Sequence, residues 1–501
     1  MSRVALLQPP AWGIYDPPTA LAQISACLKA AGHEVLVCDL NIELYSRRLP
    51  AYRDAWAIER SSFWTRPDDV RALLAAHRET VEEALARVAA FRPDLIGLSV
   101  NTCSQPAAIE LAAALKKRIP AARLAAGGPL FCVPSDPAPL RDAGVDFVVR
   151  GEGEKAFVEL AGGRTVPEDG LPPIIDLDSL PFLDLGSFPL DLYDPPGHMG
   201  NHISLMTSRG CVQNCVFCGP RAYWKGFRTM SGRRIYDEVR HHAARRPDLE
   251  AIEFLDLLFN GRLETLREFC GLMAGDPRLR ELRWHANLIV RPDMDDGIFR
   301  AMRAAGCRHV TFGIESGSQR VLDLMRKRYK VADADAVLAR AHGAGISVTC
   351  NFMFGFPGEA EADFQQTLDF LTRNARALDT AYPSRSYCTL EPHSYLAGHL
   401  DEFEVVPSQA HGQYWRSRDG SNTYPERLRR CEEFSRRARE LGIHVGEGLQ
   451  TSVEKDKWLS LGNYHESCGE QEEAARCLSR YLECAPEDEA VRGRLAALKG
   501  V

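Results

Sequence analysis

Ser208-Arg209-Gly210-Cys211-Val212-Gln213-Asn214-Cys215-Val216-Phe217-Cys218-Gly219-Pro220 is the stretch on which the reading of this chain turns. Its cysteines are spaced Cys-x3-Cys-x2-Cys. With 15 cysteines among 501 residues, such a triplet arises by chance on the order of 0.01 times in a chain of this length. Closed zinc sites use four ligands, commonly as two separated pairs, and the sequence offers no second Cys-x2-Cys pair. Three thiolates suit a four-iron, four-sulfur cluster and leave one iron for a ligand that is not protein. The metal-ligating candidates are therefore Cys211, Cys215 and Cys218, and the open iron is a place for a cosubstrate to bind.

Working outward, Ile203-Ser204-Leu205-Met206 reads as a strand running straight into this loop. Ile252-Glu253-Phe254-Leu255 reads as another that reaches Asp256, and Leu282–Ala286, Val310–Ile314 and Val348–Phe354 as three more. Helical patterns such as Asp293–Ala305 and Ala332–Ala344 separate them. Five or six such units over residues 201–385 fit a partial or full parallel (β/α) barrel, whose chemistry sits at the carboxyl ends of the strands. The cysteines, Asp256, Arg291, Glu315-Ser316 and Gly355-Phe356-Pro357-Gly358-Glu359 all fall at such ends.

Residues 1–165 show an earlier alternation. Val4–Leu7, Glu34–Cys38, Leu95–Val100, Arg123–Ala126 and Val145–Val149 have strand character, with helical patterns over Pro18–Ala31 and Pro106–Arg118. A doubly wound, Rossmann-like parallel sheet is expected, with its ligand beyond the strand carboxyl ends. Gly127-Gly128, Gly151 and Gly153 lie where backbone must approach such a ligand closely. Residues 46–88, charged and helical in pattern, read as an insertion. Residues 166–200 hold Pro-Pro pairs at 172–173 and 195–196 and read as an extended linker. After 386 the pattern becomes irregular, and 386–450 is expected to cap the barrel and face the substrate; Tyr387, His393, Tyr414 and Trp415 read either as pocket residues or, as is commoner for such aromatics, as core. Residues 451–501 read as a pair of helices.

Bulk properties narrow the class. Apolar content is 45% and charged content 26%, ordinary for a globular protein. The longest apolar runs are strand-sized, so no membrane span is expected. The opening run is too short for a signal peptide and no cleavage site follows. Many cysteines without a secretory signal point to a reducing cytoplasm. A net charge of −7 with no strong basic block argues against nucleic acid as the main partner.

The residues quoted so far resemble the radical S-adenosylmethionine (SAM) enzymes. The cysteine triplet with Phe217 before its third member carries that resemblance, together with Gly313-Ile314-Glu315-Ser316-Gly317-Ser318 and Gly355–Glu359. The N-terminal domain resembles the cobalamin-binding domain fused to many of these enzymes, through Pro17-Pro18, Ala31-Gly32-His33-Glu34-Val35, Ser99-x-Asn101, Gly127-Gly128 and Val148–Glu154. The resemblance implies a [4Fe–4S] cluster on Cys211, Cys215 and Cys218 with SAM on the open iron. It places backbone near Phe217 at the adenine, Glu315 and Ser316 near the ribose and methionine, Arg291 at the SAM carboxylate and Asp256 among the cofactor contacts. For cobalamin it implies contacts from Ser99, Asn101, Gly127, Gly128, Gly151, Glu152 and Gly153. The loop Gln8-Pro9-Pro10-Ala11-Trp12-Gly13 departs from the Asp-x-His-x-x-Gly motif whose histidine ligates cobalt in cobalamin domains of the mutase and methionine-synthase kind. The C-terminal helices resemble a single tetratricopeptide repeat, which must pack on a neighbour.

The activity implied is methylation of an unactivated carbon of a small molecule through a 5′-deoxyadenosyl radical and methylcobalamin, with an external one-electron donor of flavodoxin or ferredoxin type. Two alternatives stay open at this level. One is a non-methylating cyclisation, ring contraction or rearrangement. The other is a methylthiotransferase, which would need further cluster cysteines, whereas Cys27, Cys38, Cys103 and Cys132 are scattered. A non-enzymatic helix-repeat interaction protein is disfavoured by the intact cysteine triplet.

Overall fold

The computed structural model describes residues 1–500 except 12, 58–59, 196–198, 384–387, 410 and 447–453. Trp12, Pro196 and Tyr387, named above, thus lie outside the described residues. The chain divides into two compact units, one of residues 1–210 and 222–284, the other of 211–221 and 285–501.

The first unit begins with five parallel strands, β1 (Arg3–Gln8), β2 (Glu34–Asp39), β3 (Leu95–Ser99), β4 (Arg123–Gly127) and β5 (Phe147–Val148). Their order is β2-β1-β3-β4-β5. The chain winds outward from β1 in both directions, so the crevice where a ligand binds lies between the carboxyl ends of β1 and β3. Side-chain alternation sets the two faces. Ala5, Leu7, Ile96 and Leu98 are buried with Ala84, Leu85, Val88 and Leu111 of the helices Arg78–Phe91 and Gln105–Arg118. On the other face the ring of Phe157, from the helix Gly153–Ala161, fills the space a side chain at Gly97 would need.

The expected insertion 46–88 is narrower than the sequence suggested. Arg78–Phe91 is the crossover helix between β2 and β3, and its Ala84, Leu85 and Val88 are core residues. Its charged outer face gave the segment its surface character. The linker 166–200 is also no loose tether, because three short 3-10 turns at 177–179, 185–187 and 190–192 dock it. The Gln23 side chain donates to the Pro181 carbonyl at 2.9 Å, Tyr193 donates to Asp39 at 2.6 Å and the Leu183 amide donates to Glu238 at 2.8 Å. The sequence boundaries 1–165, 166–200 and 201–385 are therefore not the boundaries of compact units. The linker and the strands β6 (His202–Leu205), β7 (Ser208–Arg209), β8 (Arg228–Thr229) and β9 (Ala251–Phe254) share the first unit with the N-terminal sheet. β6 and β9 pair in parallel, while β7 and β8 pair antiparallel. Phe254, Phe259, Phe269 and Trp284 form an aromatic cluster behind β9, Phe254 and Phe259 stacking at 4.2 Å between ring centroids.

In β10 (Arg283–Leu288) the chain passes into the second unit. There β11 (Cys307–Glu315), β12 (Ser347–Phe352) and β13 (Thr380–Pro383) run parallel in that order, followed after the antiparallel pair β14 (Val405–Val406) and β15 (Arg416–Ser417) by β16 (His444–Val445) beside β13. Helices Val331–Gly343, Glu361–Arg373 and Tyr424–Glu440 connect or cover them. The C-terminal stretch holds three helices where a pair was expected, Glu454–Ser467, Gln471–Cys484 and Glu489–Lys499. They rest on the body of the unit: Tyr464 lies 5.8 Å from Tyr424 and 6.1 Å from Tyr414. Among the described residues no helix is long and apolar enough to cross a membrane.

Two glycines expected at the ligand crevice differ in physical role. Gly128 has φ +109°, and a Cβ there would lie 2.7 Å from the Val100 carbonyl oxygen. Gly151 has φ +74° with open space around a Cβ. Gly128→Ala is therefore expected to cost on the order of 2 kcal/mol or more, against about 1 kcal/mol for Gly151→Ala, which suffers backbone strain alone. Urea denaturation of the two variants side by side checks the order.

Candidate active site

The cysteine loop has no regular secondary structure, so its backbone groups are satisfied from outside it. Within the loop, the Cys218 amide donates to the Cys215 carbonyl at 3.3 Å and the Gln213 amide meets the Cys211 sulfur at 3.4 Å. Val216, fully buried, is held on both sides: its amide donates to the Met325 carbonyl at 3.1 Å and its carbonyl accepts from the Leu396 amide at 2.8 Å. Its side chain sits in a core with Val321, Met325, Phe356, Cys388, Leu396 and Trp415. The three cysteine side chains are half-buried and form no disulfide. Burial raises the Cys215 thiol, with Lys327 opposing, and likewise raises Cys211, opposed by the Gln213 amide and Lys327.

Beside the loop, β11 ends in a bulge. The pairing with β12 shifts register between Gly313 and Glu315, and Glu315 takes a left-handed φ of +69°. Lys327 holds this bulge, its Nζ lying 2.6 Å from the Gly313 carbonyl and 3.0 Å from Glu315 Oε1. Tyr329 donates to the Ile314 carbonyl at 2.6 Å. Glu315 thus stands next to the cysteine loop, as expected. Ser316 does not present itself to a ligand. It is 1% exposed, its hydroxyl shares a hydrogen bond with Thr367 at 3.2 Å and it accepts from the Ser318 amide. The reason is local: the chain turns at once into the helix Gln319–Leu324, capped by Ser318.

Phe217 packs edge-to-face on Phe356, with ring centroids 6.5 Å apart. The Gly355–Glu359 turn is fixed by residues absent from the sequence-level site. The Glu359 carboxylate accepts from the Gly355 amide and pairs with Arg430 at 2.9 Å, and Asn422 donates to the Gly355 carbonyl at 3.0 Å. Burial pushes the Glu359 carboxyl up to about 7, against the opposing Arg430 charge. Arg427, fully buried, lies over Trp415 at 4.1 Å and donates to the Trp415 carbonyl at 2.9 Å. Trp415 and Tyr414 are therefore core residues rather than pocket walls, while His393 is exposed. Arg291 already grips a carboxylate, that of Asp293, through bonds of 2.9 and 2.6 Å.

Asp256, in the first unit, is 1% exposed and faces Thr207 and Ser208: it accepts from the Thr207 amide at 3.0 Å, the Thr207 hydroxyl at 3.1 Å and the Ser208 hydroxyl at 2.5 Å. Burial pushes its carboxyl up to about 6. Its visible task is to order the chain before the cysteines, not to reach a cofactor. Glu152 is likewise redirected. Its carboxylate bridges Arg209 and Arg228, each at 2.6 Å, and accepts the Ile174 amide at 2.9 Å, while Glu154 takes the other arm of Arg209. Burial alone would raise Glu152, yet the Arg228 and Arg209 guanidiniums with the Ile174 amide hold it below the usual carboxylate range. Gly153 serves packing, since a Cβ there would lie 2.8 Å from the Ile24 methyl.

At the β1/β3 switch point the loop after β1 is pinned from both flanks. Asn41 donates to the Gly13 carbonyl at 3.2 Å and Asn101 to the Ala11 carbonyl at 3.1 Å. Asn101 also caps its own turn, accepting from the Ser104 amide at 2.8 Å. Ser99 ends β3 opposite Gly127. Gln8, fully buried at the end of β1, donates to the Pro9 carbonyl but leaves its Oε1 without a partner among the described residues.

The Radical SAM superfamily model matches residues 205–371, and the B12 binding domain model matches residues 64–161. The chain thus carries a radical SAM domain and a cobalamin-binding domain. An uncharacterised methyltransferase of Pyrococcus horikoshii is 27% identical over 328 residues, 61% of this chain and 69% of that protein. The cytidylyl-2-hydroxyethylphosphonate methyltransferase of Streptomyces wedmorensis is 24% identical over 439 residues, 75% of this chain and 76% of that protein. Among solved structures, the radical SAM methyltransferase TsrM of Kitasatospora setae, with cobalamin and a [4Fe–4S] cluster bound, superposes with a TM-score of 0.62 at 17% identity, covering 96% of this chain and 100% of that one. That likeness is one of fold, an N-terminal doubly wound sheet followed by a radical SAM partial barrel and a helical C-terminal region.

The residues of this chain fit the groups that radical SAM enzymes use. Among the described residues no three histidine, cysteine or acidic side chains converge as a single metal ion requires. Thiolates that each take a different iron of a cluster need no such convergence. The orphaned Gln8 oxygen at the switch point suits a ligand rich in amide donors, as cobalamin is. For the Glu152 joint, Glu152→Ala is expected to cost roughly 3 kcal/mol, because Arg228 loses its carboxylate in a buried setting. With a depressed folded-state pKa, the stability Glu152 contributes is present above its unfolded value of about 4.3 and is lost as pH falls through the folded value. Urea denaturation of wild type and Glu152→Gln across the acid limb checks this, the variant showing the shallower loss.

Proposed function

We propose that this protein is a cobalamin-dependent radical SAM methyltransferase acting on an unactivated carbon of a small molecule, in the cytoplasm, with a flavodoxin- or ferredoxin-type one-electron donor. The observation that carries the reading is the pairing, in one chain, of the family's cluster-and-SAM module with its cobalamin module. When bound, the cluster and SAM supply one-electron cleavage and hydrogen abstraction, and cobalamin supplies the methyl group.

The chain's own residues then have separable tasks. Cys211, Cys215 and Cys218 hold three irons, and the clamp on Val216 keeps their thiolates in fixed positions. Backbone near Phe217 meets the adenine, whose place is bounded by the Phe217–Phe356 pair. Glu315, at the end of β11 and only partly buried, accepts from the SAM amino or ribose groups. Arg291 reaches the SAM carboxylate by exchanging Asp293 for it, since both are carboxylates and the fork is the same. Ser99, Gly127 and Gly151 border the cobalamin crevice, with Gln8 below it. A rigid shell of this kind keeps water from a reactive intermediate.

Anaerobic purification with cobalamin supplied should give cobalt equimolar with the chain and four irons. Turnover should release 5′-deoxyadenosine and S-adenosylhomocysteine in equal amounts. Deoxyadenosine without the homocysteine product rules out methyl transfer and leaves a rearrangement or cyclisation. A chain that takes up iron but no cobalt overturns the cobalamin half. Cys211→Ser, Cys215→Ser and Cys218→Ser should each lose iron while keeping the circular dichroism of the wild type.

A further inference from the structure

Lys327 lies between the bulge at the end of β11 and the cysteine loop. Its side chain is only 9% exposed and that of Glu315 13%. The ammonium donates to Gly313 and Glu315 and lies 6.0 Å from the centre of the Phe217 ring, between the second and third cysteines in sequence. Two residues earlier, Met325 supplies the carbonyl that anchors Val216. The turn bearing Lys327 is therefore built into the wall of the cysteine loop, and its charge sits where counter-ions and water reach it poorly.

Resting on the reading above, we propose that Lys327 is a positioning residue whose fixed positive charge sets the reduction potential of the cluster held by Cys211, Cys215 and Cys218. Reduction adds one electron to a group already surrounded by thiolates. A positive charge nearby stabilises the reduced form more than the oxidised form, and does so strongly where the medium is of low dielectric. The ammonium faces the stretch between Cys215 and Cys218, 6.0 Å from the centre of the Phe217 ring. The competing account is purely structural: Lys327 neutralises Glu315 and pins a strained bulge. The two accounts differ in the sign pattern they give to the potential.

The test is an anaerobic redox titration of the full chain, cluster and cobalamin loaded, followed by the electron paramagnetic resonance signal of the reduced cluster. Lys327→Gln should lower the ratio of reduced to oxidised cluster at a fixed potential about tenfold, a shift of roughly 59 mV for one electron. Lys327→Arg should stay near wild type. Glu315→Gln, which leaves Lys327 uncompensated, should shift the potential upward. Arg328→Gln, the same charge change on an exposed neighbour, should leave it unmoved. If Lys327→Gln keeps its iron and its potential, the proposal is overturned and the lysine is structural. Equal shifts in Lys327→Gln and Arg328→Gln overturn it in favour of bulk charge. If Lys327→Gln loses its iron, the Glu315→Gln titration decides, and no upward shift there overturns the proposal. A wild-type chain that assembles no cluster overturns the underlying reading instead, which keeps the two failures distinct.

Discussion

A loop that must present three thiolates satisfies only part of its own backbone. The eight residues from Cys211 to Cys218 contain neither helix nor strand, and the thiolates must nevertheless stay put while a cluster changes charge. The fold resolves this by borrowing. Val216, the one fully buried residue of the stretch, donates to the Met325 carbonyl at the end of the helix Gln319–Leu324 and accepts from the Leu396 amide of the short helix Tyr395–Gly398. Those two partners must in turn be held in place. The turn at Met325 is held by the Glu315 bulge and its lysine, and the segment around Leu396 by the core that Trp415, Cys388 and Phe356 share with Val216.

That dependence explains why the irregular region after residue 386 was hard to interpret. In sequence it has aromatic residues and no periodicity, which suits a substrate-facing cap. In the structure Trp415 is buried under Arg427, and Arg427 and Asn422 tie the segment to the Gly355 turn. A fully buried arginine cannot be told from a surface one by its neighbours in sequence. Its burial is tolerable only because three acceptors, the Gln413 and Trp415 carbonyls and the Asn422 side chain, converge from positions five to fourteen residues away. Lys327 was hidden for a related reason. Met325-Arg326-Lys327-Arg328-Tyr329-Lys330 reads as the basic end of a helix, where cations normally point to water, and the bulge that turns one of them inward leaves no trace in composition.

What the sequence did make legible is the part governed by periodicity and by motif. The parallel strands fell close to where alternation and apolar runs put them, because buried strands of a parallel sheet need such runs whatever their neighbours. The cysteine spacing was legible as a family signal because the chemistry fixes residue type and order together, and the region it marks is the one the radical SAM model matches. The contacts assigned to Glu152, Asp256 and Ser316 came through less well. Each sits at the carboxyl end of a strand or in the loop that follows it, the right place for a ligand contact, but position at a strand end does not say which way a carboxylate or hydroxyl points. All three are consumed by hydrogen bonds to protein. In each case the partner, Arg209 and Arg228, Thr207 and Ser208, or Thr367, lies 48 or more residues away.

The Glu152 joint shows what such consumption achieves. It brings the carboxylate that follows β5 against two arginines on the antiparallel pair β7 and β8, and the same arginine, Arg209, is two residues from Cys211. Buried ion pairs contribute little net stability, since desolvation offsets most of the attraction. Their geometry is demanding, however: a guanidinium between two carboxylates tolerates few alternative positions. A hydrophobic contact of equal area would let the strand slide. The ionic joint therefore makes sense as a specifier rather than a stabiliser, fixing the point from which the chain leaves the first unit for the cysteine loop. Asp256 completes that fixation from the other side of Arg209, through Thr207 and Ser208. Two buried acids, both expected to meet cofactors, thus serve the cofactor site by ordering the backbone that leads into it.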